Sequence, residues 1–433
     1  MNNIKEKANY CLNCKTKPCS ANGCPLNNDI PNFINAIKQE QYEKAYEILT
    51  KTTVLPSICG RICPHYKQCM GSCVRGIKGE PVQVGELEAC VGDMAIKNHY
   101  MIKDLNYKNI DYEDEKINKA KCIKKEVIKS TKKIAIIGGG PAGLTAAAFL
   151  ARKGNKVTIY ERYDYLGGLL IHGIPEFRLS REIVKKSLDK ILELGIYIKF
   201  NQELGKNLDL KVLEKNYDNI ILAFGANISS KINIDGEDLE GVLGANELLE
   251  YNNHPKYDGK IVVINGGGNV AMDTARTIKR LGAKKVIVTY RRAREQMPAE
   301  QKEIEDAINE GIEFLFQHNI KRIIGEKHVQ EIEVSKNNLI KKQGENRLFP
   351  VEIENSNYIL EADYVIMAIG SHPADFIKNI GLELNEKGYI KVDKNGKTSN
   401  SKIYAVGDLA GNISTVAWAA KSGRDVAKTI DLT

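Results

Sequence analysis

The chain contains the run Ile134-Ala135-Ile136-Ile137-Gly138-Gly139-Gly140-Pro141-Ala142-Gly143, then an alanine-rich segment up to Gly154, then Val157-Thr158-Ile159-Tyr160-Glu161. This order predicts a strand, a glycine turn, a helix and a second strand that ends in an acid, as in a dinucleotide-binding unit. Gly138 permits the tight turn, Gly140 lets the backbone approach a pyrophosphate, and Gly143 lets the helix pack on the strand. The helix N-terminus offers free N–H groups to the anion, and Glu161 is placed to bind ribose hydroxyls. A plain glycine turn in an α/β domain is the alternative.

A second copy of this fingerprint follows, as Ile261-Val262-Val263-Ile264, Gly266-Gly267-Gly268-Asn269-Val270-Ala271 and Val286-Ile287-Val288-Thr289-Tyr290. Here Ala271 replaces the third glycine, and the second strand leads into Arg291 and Arg292 instead of an acid. Arginine pairs bidentately with phosphate, whereas a carboxylate would repel it. The second unit therefore favours NADP(H) over NAD(H), unless the two arginines are solvated loop residues.

Composition bounds the class of protein. The 433 residues, 42% hydrophobic and 27% charged, predict a globular protein of about three domains. Because no run of 18 apolar residues and no apolar signal segment occurs, we expect a cytoplasmic chain with no membrane partner. The net charge is +8, but the lysines between Lys116 and Lys133 lack interleaved aromatic residues, so we read them as a connector and expect no nucleic-acid partner.

Nine of the ten cysteines precede residue 91. They fall into two groups, Cys11-x2-Cys14-x4-Cys19-x4-Cys24-Pro25 and Cys59-x3-Cys63-Pro64 with Cys69 and Cys73. In a chain without an export signal such cysteines indicate metal ligands more than disulfides. A cysteine before proline that serves a second cluster is typical of two-cluster ferredoxins, which favours iron–sulfur. Zinc is the alternative.

The two cysteine groups, followed by Pro81-Val82-Gln83-Val84-Gly85-Glu86-Leu87-Glu88, resemble the N-terminal domain of the glutamate synthase small-subunit family. That domain is shared with the N-terminal part of dihydropyrimidine dehydrogenase, and the resemblance extends over roughly residues 8–430. It implies two interleaved [4Fe–4S] clusters, one on Cys11, Cys14, Cys19 and Cys73, the other on Cys24, Cys63, Cys69 and Glu88. Cys90 is the rival for the eighth position, and we interpret Cys59 and Cys122 as small buried residues.

The resemblance also implies FAD on the first fingerprint and NADP(H) on the second. The expected FAD-binding residues are Gly138, Gly140, Pro141, Ala142, Gly143, Glu161, Gly167, Gly168, Leu169, Arg178, Gly225, Gly407, Asp408 and Thr415. The expected NADP-binding residues are Gly266, Gly268, Asn269, Val270, Ala271, Arg291, Arg292 and Gly370.

The fold class is α/β, with a helical iron–sulfur domain before two Rossmann-like domains, the NAD(P)-binding one inserted in the FAD-binding one. The expected bounds are 1–115 for the cluster domain, 116–131 for a basic linker, 132–240 and 362–433 for the FAD domain, and 241–361 for the NAD(P)H domain.

By the same resemblance, NADPH is expected to supply electrons through FAD and two clusters to a partner, with no catalytic side chain required. The partner is a larger glutamate-synthase-like catalytic subunit or a ferredoxin-type acceptor, in a hetero-oligomer. Asn269-Val270-Ala271-Met272-Asp273 and Met297-Pro298-Ala299 equally resemble the large subunit of NADH-dependent ferredoxin:NADP oxidoreductase. A ferredoxin:NAD(P) oxidoreductase or a dihydropyrimidine dehydrogenase-type subunit is therefore the alternative. A non-enzymatic alternative is a zinc-binding, nucleotide-binding redox sensor or assembly protein.

Overall fold

A computed structural model describes residues 2–103, 132–342 and 347–432. The expected linker 116–131 and Cys122 lie outside these residues. The chain divides into two compact units. The first comprises Met1–Gly168, Arg178–Gly225 and Phe376–Thr433, and the second comprises Leu169–Phe177 and Ala226–Asp375.

Helices and strands alternate after an all-helical N-terminal region. The helices are α1 Asn2–Asn9, α2 Ile30–Lys38, α3 Tyr42–Thr50, α4 Pro56–Ile62, α5 Val84–Lys97, α6 Pro141–Ala151, α7 Leu169–His172, α8 Arg181–Leu192, α9 Leu210–Asn216, α10 Ala245–Tyr251, α11 Asn269–Arg280, α12 Gln301–Asn309 and α13 Val416–Leu432. The strands are β1 Lys133–Ile137, β2 Lys156–Tyr160, β3 Tyr197–Lys199, β4 Asn219–Leu222, β5 Ile228–Ser229, β6 Val242–Gly244, β7 Ile261–Asn265, β8 Lys285–Tyr290, β9 Glu313–Phe316, β10 His318–Ile324, β11 Glu331–Ile340, β12 Phe349–Glu352, β13 Tyr358–Glu361, β14 Tyr364–Met367, β15 Ser371–His372 and β16 Ile403–Ala405.

The N-terminal region is built on apolar helix faces. The apolar spacing over residues 30–49 predicts helical structure, and the structure has the two helices α2 and α3 there. Glu40 lies between them at φ 60°, a left-handed conformation that a helix cannot continue through. Phe33, Ile37 and Leu49 are fully buried, so the predicted apolar face is the core of this region.

The first unit contains a parallel sheet in the order β16-β4-β1-β2-β3. The strands predicted from the first fingerprint are confirmed, because Ile134 pairs with Val157 and Ile137 with Tyr160 in register. Late in the chain, β16 returns to pair with β4 of this sheet. The carboxyl ends of β1 and β4 therefore meet at one edge, and the glycine turn follows β1 there, where doubly wound sheets bind ligands.

The second unit contains its own parallel sheet, in the order β6-β14-β7-β8-β9. An antiparallel sheet in the order β10-β11-β12, with β13 also paired to β11, accompanies it. The helix that follows the second glycine turn is α11, which ends at Arg280. Over the described residues, no helix is both long and apolar enough to cross a membrane.

Candidate functional sites

The first glycine turn forms a cradle with one open side. Gly138 has φ 105°, and a Cβ there would lie 2.6 Å from the Ala223 carbonyl oxygen. A Cβ on Gly143 would lie 2.1 Å from the Gly138 oxygen, so both positions are closed by the protein itself. A Cβ on Gly140 would meet nothing closer than Gly168 Cα at 4.0 Å. Gly140 is also the N-cap of α6, so this open side faces free helix N–H groups, as a pyrophosphate requires.

Glu161 lies inside this turn. Its Oε2 accepts a hydrogen bond from the Gly139 N–H at 2.7 Å, and its Oε1 accepts one from the Tyr163 N–H at 3.1 Å. The Gly167 N–H donates to the Gly139 oxygen at 2.9 Å, which brings the second predicted glycine loop to the same place. Each carboxylate oxygen of Glu161 keeps a second lone pair that a ribose hydroxyl can use.

The returning chain completes the first site. A Cβ on Gly407 would lie 3.1 Å from the Ala142 Cβ, so Gly407 lies beside the first turn of α6. Burial raises the pKa of the next residue, Asp408, to about 6. Thr415 precedes α13, and its Oγ1 accepts the Trp418 N–H at 3.3 Å, as a helix cap does.

Three other predicted FAD residues have separate placements. Gly225, at φ 77°, ends the segment of the first unit that follows β4. Leu169 is the first residue of α7 and belongs to the second unit. Arg178 opens the segment in which the chain returns to the first unit.

The second glycine turn repeats the cradle. Gly268 is the N-cap of α11, and a Cβ there would meet nothing closer than Pro298 Cγ at 4.0 Å. The Ala299 N–H donates to the Gly267 oxygen at 3.0 Å, and Asn269 Oδ1 accepts the Glu300 N–H at 2.9 Å. The Met297-Pro298-Ala299 motif, to which the sequence assigns no role, thus lies against this turn.

The other predicted NADP-binding residues lie in the same unit as this turn. Ala271 is fully buried, whereas Val270 is exposed. A Cβ on Gly370 would have nothing within 4 Å. Arg291 is exposed, and Arg292 is 8% exposed with its Nε donating to the Leu348 oxygen at 2.9 Å.

The first cysteine set lines one cavity. Its thiol-bearing residues are Cys11, Cys14, Cys19 and Cys73, and most of the remaining lining is apolar, with Arg75 the charged member. Burial raises the pKa of the Cys19 thiol to about 11, and the neighbouring Cys11 and Cys73 add to this effect. Four thiols around an apolar cavity fit the ligand set of a [4Fe–4S] cluster.

The second set is buried more deeply. Burial and then the Glu88 carboxylate raise the pKa of Cys24, to about 12, and that of Cys69. The pKa of Cys63 is raised by its hydrogen bond with Cys59, by burial and by Glu88 and Cys69. Anionic donors packed together away from water are stable only with a cation, and a bound metal deprotonates thiols outright.

Glu88 has a fixed orientation. It is 5% exposed, burial raises its pKa to about 8, and its Oε1 accepts a hydrogen bond from Asn28 Nδ2 at 3.1 Å. Asn28 Oδ1 in turn accepts the Thr52 hydroxyl at 2.7 Å, which fixes the amide. The Glu88 carboxylate acts on the pKa of Cys24, Cys63 and Cys69, whereas burial and then the Asp93 carboxylate raise the pKa of Cys90. Asn28 is absent from the sequence prediction because the run Asn27-Asn28-Asp29 has no ligand pattern.

No three His, Cys, Asp or Glu side chains of the described part of the chain are grouped so as to hold a metal ion. In a four-iron cluster the four ligands are distributed over four irons. A cluster of this kind does not require three donors around one ion, so the fit of the protein to [4Fe–4S] clusters is judged from the type of its ligands.

Two arginines of the first unit connect two of its parts. One is the helical N-terminal part, residues 2–103, which we call the cluster region, and the other is α6 and α13 beside the first glycine turn, which we call the flavin region. Arg424 of α13 donates from Nη1 to the Leu26 oxygen at 2.5 Å, two residues after Cys24. Arg152, directly after α6, donates from Nη1 to the Thr50 oxygen at 2.6 Å. Both side chains are buried, so Arg424 ties α13 to the loop after Cys24, and Arg152 ties the end of α6 to the end of α3.

Two family descriptions match the chain. "Pyridine nucleotide-disulphide oxidoreductase" covers residues 132–423, and "Dihydropyrimidine dehydrogenase domain II, 4Fe-4S cluster" covers residues 1–100. The chain is 32% identical to the glutamate synthase [NADPH] small chain of Halomonas elongata, over 98% of this chain and 89% of that one. It is 35% identical to the NADP(+)-dependent formate dehydrogenase subunit beta of Moorella thermoacetica, over 96% of this chain and 60% of that one.

Among solved structures, Mycobacterium tuberculosis FprA in complex with NADPH is similar to this chain with a TM-score of 0.63 at 22% identity. The match covers 70% of this chain and 84% of that one, and it shows a shared fold.

Proposed function

The chain belongs to the glutamate synthase small-chain family, and from this premise we propose that it is the electron-input subunit of a larger redox enzyme. As a member of that family it is an NAD(P)H-dependent flavin oxidoreductase with a 4Fe-4S domain. In the proposal NADPH is the electron donor, and FAD and two [4Fe–4S] clusters are the resident cofactors. The observation that supports it is that Cys11, Cys14, Cys19 and Cys73 line one cavity, within the unit that also holds the first glycine turn.

The first turn binds FAD in this proposal. When bound, FAD accepts a hydride and releases electrons singly. The N–H groups at the start of α6 hold the pyrophosphate, and Gly140 leaves the room that it needs. Glu161 binds the ribose, and Asp408 contacts the ribityl–phosphate region. The Thr415-capped end of α13 presents positive dipole charge to the flavin, which stabilises an anionic ring.

The second turn binds NADP(H). Gly268, with the N–H groups of α11, holds the pyrophosphate in the same way. Arg291 and Arg292 supply positive charge where the first turn has Glu161. This exchange of charge at the end of the second strand supports the 2′-phosphate of NADP(H) as the ligand.

We propose a partner chain as the electron acceptor. The relatives named above are called a small chain and a subunit beta, which supports a larger companion subunit. That companion is a glutamate-synthase-like catalytic chain or a ferredoxin-type acceptor, in a cytoplasmic hetero-oligomer. A copurifying flavin-containing amidotransferase chain favours the first partner, and a small flavoprotein or a pyrimidine-reducing chain favours the alternative.

The cofactor content tests the proposal. Protein purified without oxygen should carry one FAD and about eight irons with about eight inorganic sulfides per chain, with broad visible absorbance. Cys11→Ser should remove about half of the iron. The control Cys90→Ser should keep all of it, because Cys90 lies outside both donor sets. Zinc in place of iron, or a colourless protein without flavin, would contradict the proposal.

A further inference from the structure

Three arginines gather at the end of β8, although one of them is distant in sequence. Arg291 and Arg292 follow the strand directly, and Arg347 comes from the segment before β12. Partial desolvation of the exposed Arg291 side chain, then the cations of Arg292 and Arg347, lower the pKa of Arg291. Tyr290 is the group that opposes these two cations, so the neighbouring charges that act on Arg291 are mainly positive. A site with unbalanced positive charge is suited to an anion.

Arg347 is fixed at the glycine turn through Tyr290. Its Nη2 donates to Tyr290 Oη at 3.0 Å and to the Gln296 oxygen at 2.9 Å. The Tyr290 ring closes over the turn, since a Cβ on Gly267 would lie 2.5 Å from the ring atom Cδ2. The guanidinium of Arg347 therefore lies at the edge of the second nucleotide cradle.

The three side chains differ in exposure, and this separates their roles. Arg292 is 8% exposed, and its Nε donates to the Leu348 oxygen at 2.9 Å, so it anchors the residue next to Arg347. Arg291 and Arg347 are exposed. These two can contact a ligand directly, while Arg292 adds charge behind them and holds the Arg347 segment in place.

The ligand that fits is a phosphate on the adenine ribose. In a dinucleotide-binding unit the end of the second strand lies at the ribose hydroxyls. Two exposed guanidiniums can each make paired hydrogen bonds to one phosphate, and its double negative charge relieves their repulsion. We propose that Arg347 is a third arginine of the 2′-phosphate site and helps to set the preference for NADPH over NADH. This inference rests on the proposed NADP(H) function of the second turn.

The test compares ligands and substrates that differ only in that phosphate. Titration calorimetry of the holoprotein with 2′,5′-ADP and with 5′-AMP gives the contribution of the phosphate to binding, independently of turnover. For Arg347→Ala we expect binding of 2′,5′-ADP to weaken about tenfold or more, with 5′-AMP unchanged. In steady-state assays kcat/KM should fall for NADPH and stay constant for NADH. Arg347→Lys keeps the charge but not the paired geometry, so its loss should be smaller.

Two further variants serve as a positioning test and a control. Tyr290→Phe keeps the ring over Gly267 but removes the oxygen that holds Arg347, so part of the same loss is expected. Arg322→Ala removes an exposed arginine of β10 that is paired with Glu333, and it should change neither ligand's affinity.

The outcomes separate the two levels of the proposal. If the unmodified protein binds 2′,5′-ADP no more tightly than 5′-AMP, the second turn is not an NADP(H) site and the inference fails with it. If the unmodified protein discriminates, and Arg291→Ala abolishes discrimination while Arg347→Ala retains it in full, the role of Arg347 alone is overturned.

Discussion

Asp408 carries a buried carboxyl in the short helical turn Gly407–Ala410. Burial raises its pKa from the ordinary 3.8 to about 6, and the hydrogen bond with Ser414 only partly opposes this rise. Below 3.8 the folded and unfolded states both hold the proton; between 3.8 and about 6 only the folded state holds it. The contribution of Asp408 to folding stability therefore falls as pH rises through this window.

We accordingly expect Asp408→Asn to stabilise the ligand-free protein at neutral pH. The free energy of unfolding should rise by on the order of 1 kcal/mol at pH 7.5, because the amide removes the buried charge. Near pH 4 the gain should vanish. Urea denaturation at both pH values measures it, with exposed Glu386→Gln as the control. An equal gain at both pH values would rule out ionisation as the cause.

For single residues, the sequence predicts candidate ligands better than the residues that hydrogen-bond to the candidate sites and hold them in position. The cysteine spacing and Glu88 are visible as a pattern, and four of the predicted ligands, Cys11, Cys14, Cys19 and Cys73, line one cavity. The assignment of all eight ligands to two clusters stays a prediction. Asn28 and Arg347 could not be predicted in this way. Their roles depend on hydrogen bonds to Glu88 and to Tyr290, residues that are far away in the chain, and such contacts leave no local spacing.

Among the elements, α6 and α13 pack closely against each other beside the first glycine turn. A Cβ on Gly423 of α13 would lie 2.1 Å from the Ala142 oxygen. Because Ala142 is in the first turn of α6, a side chain at position 423 would displace the N–H groups that we assign to FAD. The glycine is therefore needed for close approach.

Gly423→Ala should consequently weaken both folding and flavin retention. We expect a loss of about 1–3 kcal/mol in the free energy of unfolding, since overpacked contacts cost that much. The FAD-to-protein ratio after gel filtration should also fall. Lys428→Ala, at an exposed position of the same helix, provides the control. Unchanged FAD retention in Gly423→Ala would show that the turn tolerates the displacement.

The helices and strands were predictable where several local sequence features agreed. Both fingerprints combine a β-branched run, a glycine turn and a helix, and the structure confirms both units. The break at Glu40 was not predictable, because the apolar spacing continues across it. The antiparallel strands β10–β13 also gave no clear signal, since several of their residues are exposed and the alternation is incomplete.

At the scale of the molecule, Arg152 and Arg424 tie the flavin region to the cluster region. Both are charged groups that end on backbone carbonyls in buried surroundings. A buried carbonyl that loses its donor costs about 1–3 kcal/mol. Loss of either arginine would therefore leave a buried carbonyl without its donor and weaken the connection between the two regions.

Arg424→Met should remove the hydrogen bond to the Leu26 carbonyl without a large change in side-chain length. The free energy of unfolding of the ligand-free protein should fall by about 1–3 kcal/mol. Hydrogen exchange should speed up in residues 24–28, the loop that holds Leu26. Lys428→Met is the matched control on α13. If exchange in this loop stays at the level of the control, the guanidinium is not what holds it.

The hydrogen bond between Arg424 and Leu26 also has a consequence for synthesis. Its two residues are 398 positions apart. At about 5–20 residues per second, Leu26 is made roughly 20–80 s before Arg424. During that interval the Leu26 carbonyl is without the guanidinium that it accepts from in the folded chain. The loop reaches its final form only after translation has produced α13.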